Sequence, residues 1–119
     1  MKLNYAFQTP KNLYLILEYC SGGDLGYHLE QREFFTEAEA KFFVAELALA
    51  LEYIHSQRVV YRDLKPENVL IDGDGHAKLA DFGLAKENCA DAHSFCGSPA
   101  YMTPEMLENS CVTCQADIY

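Results

Sequence analysis

The chain has 119 residues, half of them apolar, which is enough for one small domain with a core. Its formal net charge is −9 and its Lys and Arg residues are scattered, which excludes the basic patch of a nucleic-acid-binding or anionic-membrane-binding protein and favours basic partners. It has no signal-peptide core and no apolar run long enough to cross a membrane, and its five cysteines are an odd number, so we expect an intracellular, cytoplasmic protein with reduced thiols.

The first predicted element is an antiparallel β-hairpin. Leu3, Tyr5 and Phe7 alternate with polar residues, a turn is expected at 8–12, and residues 13–19 form a second apolar run. Taken without the rest of the chain, this second run is most simply a buried strand.

A short helix is predicted next. The pair Gly22-Gly23 supplies a flexible turn, and the helix should run to about Gln31 with Asp24 as a candidate N-cap. The glycine spacing does not match a phosphate-binding loop, so this turn is not expected to cradle phosphates.

The longest predicted helix begins at a capping box formed by Thr36 and Glu39 and ends near Ser56. We expect His55 to interact with the C-terminal end of the helix rather than to act in catalysis. Its apolar residues recur at helical spacing and predict one broad core-facing stripe, formed by Phe43, Val44, Leu47, Ala48, Leu51 and Ile54.

Two polar clusters then flank a predicted hairpin with a turn at 72–75. The first is Tyr-Arg-Asp-Leu-Lys-Pro-Glu-Asn at 61–68, and the second is Asp-Phe-Gly at 81–83. A hairpin between them brings their carboxylates together. Phosphoryl transfer needs one carboxylate that orients the attacking hydroxyl, and Asp63 is in the position for this role. It also needs oxygen ligands for magnesium, which Asn68 and Asp81 can supply.

These motifs resemble those of the eukaryotic protein kinases, and their details resemble the AGC group. Residues 61–68 match the catalytic loop, 81–83 the metal-binding motif, and Thr103-Pro104-Glu105 the end of the activation segment. The resemblance covers nearly the whole chain but only the middle of the family's fold. It implies a partial kinase-like α+β fold. Its parts are the end of the small lobe (1–17), a hinge (18–24), and the first, mainly helical part of the large lobe with a catalytic β-ribbon (25–119).

The resemblance implies a protein serine/threonine kinase that uses ATP and Mg²⁺. It gives Asp63 the role of orienting the substrate hydroxyl, and Lys65 that of contacting the transferred phosphoryl group. Asn68 and Asp81 are the implied magnesium ligands.

The resemblance implies a stack of apolar side chains between the lobes. Tyr61, which replaces a more common His, is expected to stack there with Phe82 and Leu3.

The resemblance also implies where the nucleotide base would lie. The residues implied to contact the adenine or ribose, or to gate the pocket behind the adenine, are Leu17, Glu18, Cys20, Asp24 and Leu70.

Substrate and regulatory residues follow from the same resemblance. Glu67 and Asp24 would favour protein substrates with basic residues before the target Ser or Thr. Ser98 stands where the family usually has a Thr that contacts the catalytic residues. Ser94 occupies the position of an activating phosphosite, for an upstream kinase, and Arg62 would bind its phosphate.

The chain departs from the family pattern in two ways. Ala100 replaces a Glu common in the AGC group, and Thr103 replaces the usual Ala. The glycine-rich loop, the strand lysine and the helix glutamate that the family places before the first strand are absent, and little follows Asp117, which resembles the aspartate that anchors the catalytic loop. We therefore expect the isolated segment to be unstable and to have little or no activity.

Two other interpretations remain open. The chain could be a truncated, catalytically silent kinase-like module used for binding or scaffolding, although such a module has no need of the catalytic residues. A zinc-binding module is a further alternative. Its ligands would come from Cys89, His93, Cys96, Cys111 and Cys114.

Overall fold

The structure, a computed structural model, describes residues 1–87, 96–108 and 110–119. Its elements are β1 (Leu3–Gln8), β2 (Leu13–Leu17), α1 (Leu25–Arg32), α2 (Glu37–Ser56), β3 (Val59–Val60), β4 (Val69–Ile71), β5 (Ala77–Leu79), β6 (Lys86–Glu87) and α3 (Pro104–Leu107). The strands form three antiparallel pairs, β1–β2, β3–β6 and β4–β5. The predicted α+β class is confirmed.

The β1–β2 hairpin confirms the first predicted element. Its strands pair from Leu3 opposite Leu17 to Gln8 opposite Leu13, and the rings of Phe7 and Tyr14 stack across the strands at 5.0 Å. Every residue of both strands is exposed, and Leu13 is 68% exposed. The interpretation of the second strand as buried is therefore wrong for this structure. Backbone pairing and cross-strand contacts hold the hairpin together.

Both major helices begin as the sequence predicts. The Asp24 carboxylate caps α1 by accepting a hydrogen bond from the Tyr27 N–H at 2.8 Å. Thr36 and Glu39 form the complete capping box of α2, which ends at Ser56. Each cap satisfies backbone donors that the first helical turn leaves without an internal partner. Within the described part of the chain, no helix combines the length and apolarity needed to span a bilayer.

The apolar stripe of α2 is narrower than predicted. Leu51 is buried, and its partners on the same face are Phe43, Leu47 and Ile54. Val44, however, is 63% exposed, and Ala48 is also exposed. The prediction that these two residues belong to the core is wrong, because the described elements pack against only one side of the helix.

The buried residues form two clusters that meet where β3 ends. The first cluster contains Leu25, Leu51, Tyr61, Val69 and Leu79. The second contains Val60, Met102, Met106, Val112 and Ala116. Val60 and Tyr61 are adjacent and fully buried, yet they belong to different clusters. The segment 61–68 thus begins at the junction of the two cores.

The segment 18–24 lies against β4 rather than free in solution. The Gly22 N–H donates to the Ile71 carbonyl at 2.9 Å, and the Ile71 N–H donates to the Gly23 carbonyl at 2.8 Å. A Cβ at Gly22 would lie 2.7 Å from the Ile71 Cβ, so this approach requires glycine. An isolated β-bridge between Asp24 and Leu70 extends the contact.

Candidate active site

A buried carboxylate holds the backbone at the start of the segment 61–68. Asp117, whose side chain is 1% exposed, accepts hydrogen bonds from the backbone N–H groups of Tyr61 at 2.8 Å and Arg62 at 2.7 Å. Arg62 has a positive φ of 69°, a conformation that needs support in a non-glycine residue. The anchoring implied for Asp117 by the family resemblance therefore has a direct physical basis.

His55 joins α2 to this anchor. Its Nε2 donates to Asp117 Oδ2 at 2.7 Å, in the tautomer that carries the proton on this nitrogen. The expected partner of His55 was the C-terminal end of its own helix. Its observed partner lies 62 positions away in sequence, although the role is structural in both cases.

Asp63 is the centre of a network of charged and polar groups. Its Oδ1 accepts from the Ser98 N–H at 3.0 Å and the Ser98 hydroxyl at 2.9 Å, and its Oδ2 accepts from the Asn68 amide at 2.8 Å. The Lys65 ammonium lies 3.2 Å from Oδ2 and donates to the Ser98 hydroxyl at 2.6 Å. Four polar side chains from 61–68 and the segment after residue 95 therefore form one connected group.

The charge state of Asp63 follows from these contacts. Burial alone would raise the pKa of the Asp63 carboxyl, but hydrogen bonds from Ser98, Lys65 and Asn68 outweigh it and hold the pKa below its ordinary value. The carboxylate is therefore ionised at neutral pH and able to accept a hydrogen bond from a substrate hydroxyl.

The β4–β5 ribbon brings the second polar cluster to the first. The Ala80 N–H donates to the Asn68 carbonyl at 2.9 Å, and the Tyr61 hydroxyl donates to the Ala80 carbonyl. The Phe82 ring meets the Tyr61 ring edge to face at 5.2 Å, which confirms one contact of the expected stack. Burial and the carboxylates of Asp63 and Asp81 raise the pKa of the Tyr61 phenol. Leu3, the other expected member of the stack, stays a prediction.

Asn68 and Asp81, the expected magnesium ligands, offer oxygen donors of the kind that this ion prefers. The Asn68 amide nitrogen donates to both the carbonyl and carboxylate of Asp63, which leaves the amide oxygen as the group that could ligate a metal. Asp81 is exposed, has a positive φ of 49°, and accepts from the Gly83 N–H at 3.1 Å. Magnesium in nucleotide sites often takes only one or two protein oxygens, because phosphates and water supply the rest.

The residues expected near a nucleotide base lie along the exit from β2 and along β4. Leu17 ends β2 and is exposed, Cys20 and Leu70 are half-buried, and Asp24 is engaged as the N-cap of α1. The Glu18 carboxylate accepts from Lys78 at 3.0 Å, and this hydrogen bond is the main reason that the pKa of Glu18 is lowered. Their proximity to a bound base stays a prediction.

Glu67 and Asp24 form an acidic edge on either side of Gly26. A Cβ at Gly26 would lie 2.9 Å from Glu67 Cγ and 3.1 Å from Asp24 Oδ1. Glu67 is exposed, so its carboxylate is accessible to a ligand in solution. Both side chains thus lie next to Gly26, and their role in substrate binding stays a prediction.

The Arg62 guanidinium has unused hydrogen-bonding capacity. Its Nε donates to the Leu84 carbonyl at 2.7 Å, whereas its Nη1 is buried and has no hydrogen-bond partner within 1–87, 96–108 and 110–119. Ser94, the expected phosphosite, lies outside the described residues.

The zinc hypothesis falls partly outside the described residues, because Cys89 and His93 are not among them. In the ranges 1–87, 96–108 and 110–119, no three His, Cys, Asp or Glu side chains are arranged to hold a metal ion.

The sequence analysis missed the ion pair of Lys78 and Glu18. Lys78 lies at the middle of β5 and Glu18 lies directly after β2, 60 positions earlier. No local motif joins the two residues. The only available signal was that each is a charged residue beside a predicted strand.

Comparison with known proteins agrees with this geometry. The sequence matches the family described as Protein kinase domain over residues 1–119. It is 52% identical over 98% of its length to human "Ribosomal protein S6 kinase alpha-3" and 51% identical over 100% to Caenorhabditis elegans "Putative ribosomal protein S6 kinase alpha-1". It is also 50% identical over 91% to Xenopus laevis "RAC-beta serine/threonine-protein kinase B".

The chain spans 16% of the length of each of the first two relatives and 23% of the third. The family match nevertheless includes every residue of the network around Asp63 and of the anchor at Asp117. The chain therefore belongs to the protein kinase family.

Proposed function

We propose that the protein containing this chain transfers the γ-phosphoryl group of ATP to Ser or Thr hydroxyls of other proteins. The observation that carries the proposal is the network in which Ser98, Lys65 and Asn68 hold an ionised Asp63 carboxylate. The printed names of the relatives, which include a serine/threonine-protein kinase, support the same reaction. A silent binding module gives no reason for this set of residues.

Asp63 would orient the reaction by accepting a hydrogen bond from the substrate hydroxyl. Its lowered pKa keeps it in the accepting form, and Ser98 fixes the direction of its Oδ1. Lys65, already beside Ser98, is close enough to neutralise charge that develops on the transferred group. Most of the catalytic effect would come from positioning and charge stabilisation, as in other phosphoryl transfers.

Asn68 and Asp81 would hold magnesium through an amide oxygen and a carboxylate. Magnesium, when bound, neutralises phosphate charge and fixes the phosphate oxygens. The adenine would lie against the segment 18–24, which β4 supports through Ile71.

The test is a phosphotransfer assay with the full-length protein, γ-labelled ATP, Mg²⁺ and a library of Ser- and Thr-containing peptides. We expect label on the peptide hydroxyls, and we expect EDTA to abolish the transfer. A folded full-length protein that transfers no label to any peptide would overturn the proposal and favour the silent-module alternative.

We expect the acidic edge of Asp24 and Glu67 to select substrates with Arg or Lys before the target residue. Glu67→Gln should lower kcat/KM for such peptides about two- to fivefold, the effect expected of one exposed ion pair. A positional peptide library measures the preference. Glu108→Gln, at another exposed site, is the matched control and should leave it unchanged. Equal selectivity of wild type and Glu67→Gln would contradict the assignment.

We expect phosphorylation of Ser94 by an upstream kinase to activate the protein. A phosphate can form a bidentate, charge-assisted pair with a guanidinium, and Arg62 Nη1 is buried without a hydrogen-bond partner among the described residues. Ser94→Ala should lower kcat at least tenfold, whereas Ser110→Ala, a serine in an exposed loop, should not. Intact-mass analysis of the active protein measures the phosphate. A fully active protein with unmodified Ser94 would rule out this mode of activation.

A further inference from the structure

Lys78 lies between two carboxylates that belong to different parts of the fold. Its Nζ is 3.0 Å from Glu18 Oε2 and 3.4 Å from Asp72 Oδ2. Asp72 follows β4 in the ribbon, whereas Glu18 follows β2 at the start of the segment 18–24. One ammonium group therefore links the ribbon to the N-terminal hairpin.

Glu18 transmits this link to the β1–β2 hairpin. Its second oxygen, Oε1, accepts from the Lys2 N–H at 2.6 Å, and its own N–H donates to the Lys2 carbonyl at 2.9 Å. Both carboxylate oxygens of Glu18 thus accept hydrogen bonds, Oε2 from Lys78 in the ribbon and Oε1 from Lys2 beside the hairpin. Movement of the hairpin relative to the ribbon would break at least one of these bonds.

The segment 18–24 is attached to the ribbon at two places. The charged link at Glu18 is the first, and the backbone bonds between Gly22, Gly23 and Ile71 are the second. Tyr19 between them is 88% exposed. Without the charged link, Glu18 keeps its two hydrogen bonds to Lys2 beside the hairpin, and neither of them reaches the ribbon.

The Lys78 ammonium and its two carboxylate partners lie in partly buried surroundings, which strengthen the attraction between their charges. The Lys78, Glu18 and Asp72 side chains are 30%, 27% and 17% exposed, so the three charges are partly shielded from water. The hydrogen bond to Glu18 is the largest cause that raises the pKa of Lys78, and the hydrogen bond from Lys78 lowers the pKa of Glu18. The group is therefore a stable ion triad at neutral pH, although salt should weaken it.

We propose that Lys78 is a positioning residue for nucleotide binding: through Glu18 and Asp72 it clamps the segment 18–24 to the ribbon. This inference rests on the proposed function, in which the backbone of that segment meets the adenine. A segment already fixed in place loses less conformational freedom when a nucleotide binds. Among the described residues, the side-chain hydrogen bonds and ion pairs of Lys78 go to Glu18 and Asp72 and not to Asp63 or its partners. Its loss should therefore weaken binding and spare the chemical step.

The experiment compares wild type with Lys78→Met and Glu18→Gln in the full-length protein. Isothermal titration with Mg·ADP should give a Kd about two- to fivefold higher for each variant, the size expected of a partly exposed ion pair. The KM for ATP should rise by the same factor, with kcat and the peptide KM within about twofold. The double variant should bind no more weakly than Lys78→Met, because both changes remove the same link.

Two further measurements separate the clamp from a general loss of structure. At 0.5 M salt, the difference in Mg·ADP affinity between wild type and Lys78→Met should become smaller, since salt weakens a partly exposed ion pair. Lys41→Met removes the exposed Lys41–Glu37 pair on α2 and should change no binding constant. Thermal unfolding checks each variant, and Glu18→Gln tests the clamp from the opposite side should Lys78→Met fail to fold.

The outcomes distinguish the clamp from the proposed function. Three results would overturn the clamp while wild-type phosphotransfer stands. They are unchanged Mg·ADP affinity in both single variants, additive effects in the double variant, and a difference between wild type and Lys78→Met that does not shrink at 0.5 M salt. A wild-type protein that binds no Mg·ADP would overturn the proposed function, and the clamp with it.

Discussion

Asp63→Asn should lower kcat of the full-length protein by a factor of about 10² to 10⁴, the range observed when a positioned acid or base is lost. Asn is nearly the same size, but its amide cannot accept a proton from a substrate hydroxyl. It also removes the negative charge that Lys65 faces at 3.2 Å. Because the described hydrogen-bond and ion-pair partners of Asp63 are Lys65, Asn68 and Ser98 rather than residues of the segment 18–24, the KM for ATP should stay within about threefold of wild type.

The measurement is steady-state phosphotransfer to a peptide with varied ATP, together with the unfolding midpoint of each protein. Asp74→Asn is the matched control, because it makes the same change at an exposed turn of the ribbon. Equal kcat values for wild type and Asp63→Asn would show that another group accepts the proton. An unchanged unfolding midpoint would assign the loss of rate to chemistry rather than to unfolding.

Asp117→Asn should destabilise the protein by about 2 to 4 kcal/mol, because a buried carboxylate that accepts several hydrogen bonds is lost. Three donors converge on Asp117: the N–H groups of Tyr61 and Arg62, and His55 Nε2. The amide of Asn offers one acceptor oxygen and turns an N–H₂ group toward the remaining donors. At least one buried donor would then have no partner.

Denaturant unfolding of the full-length protein measures this change. The kcat should also fall, because Asp117 holds the strained backbone of Arg62 next to Asp63. His55→Phe, which removes only one of the three donors, should have a smaller effect than Asp117→Asn. A loss below about 0.5 kcal/mol, within the range of ordinary surface substitutions, would show that water or another group replaces the anchor.

Local patterns predicted much of the fold and of the site. The caps at Asp24 and Thr36 depend on residues only three positions apart, so the sequence contains all of the information needed. The hairpin between residues 68 and 80 likewise predicts that the two polar clusters meet, which the hydrogen bond between Asn68 and Ala80 bears out. The family motifs identified the same residues independently of their geometry.

Long-range packing and exposure could not be read from the sequence. The apolar pattern of β2 is the same whether or not another layer covers it, and Val44 continues the helical stripe of α2 although it is exposed. The bond from His55 to Asp117 and that from Lys78 to Glu18 join residues 62 and 60 positions apart. The expected limits of the small lobe, hinge and large lobe stay predictions.

The adjacency of Val60 and Tyr61 has a consequence for how distant substitutions act. The two residues are neighbours in the chain but belong to different buried clusters. A shift of one cluster relative to the other therefore changes the backbone torsion angles on either side of the peptide group between them, two residues before Asp63. A core substitution that touches no polar residue can thus tilt the Asp63 carboxylate away from the geometry in which it accepts a hydrogen bond. Substitutions that lower kcat need not lie among the polar residues around Asp63.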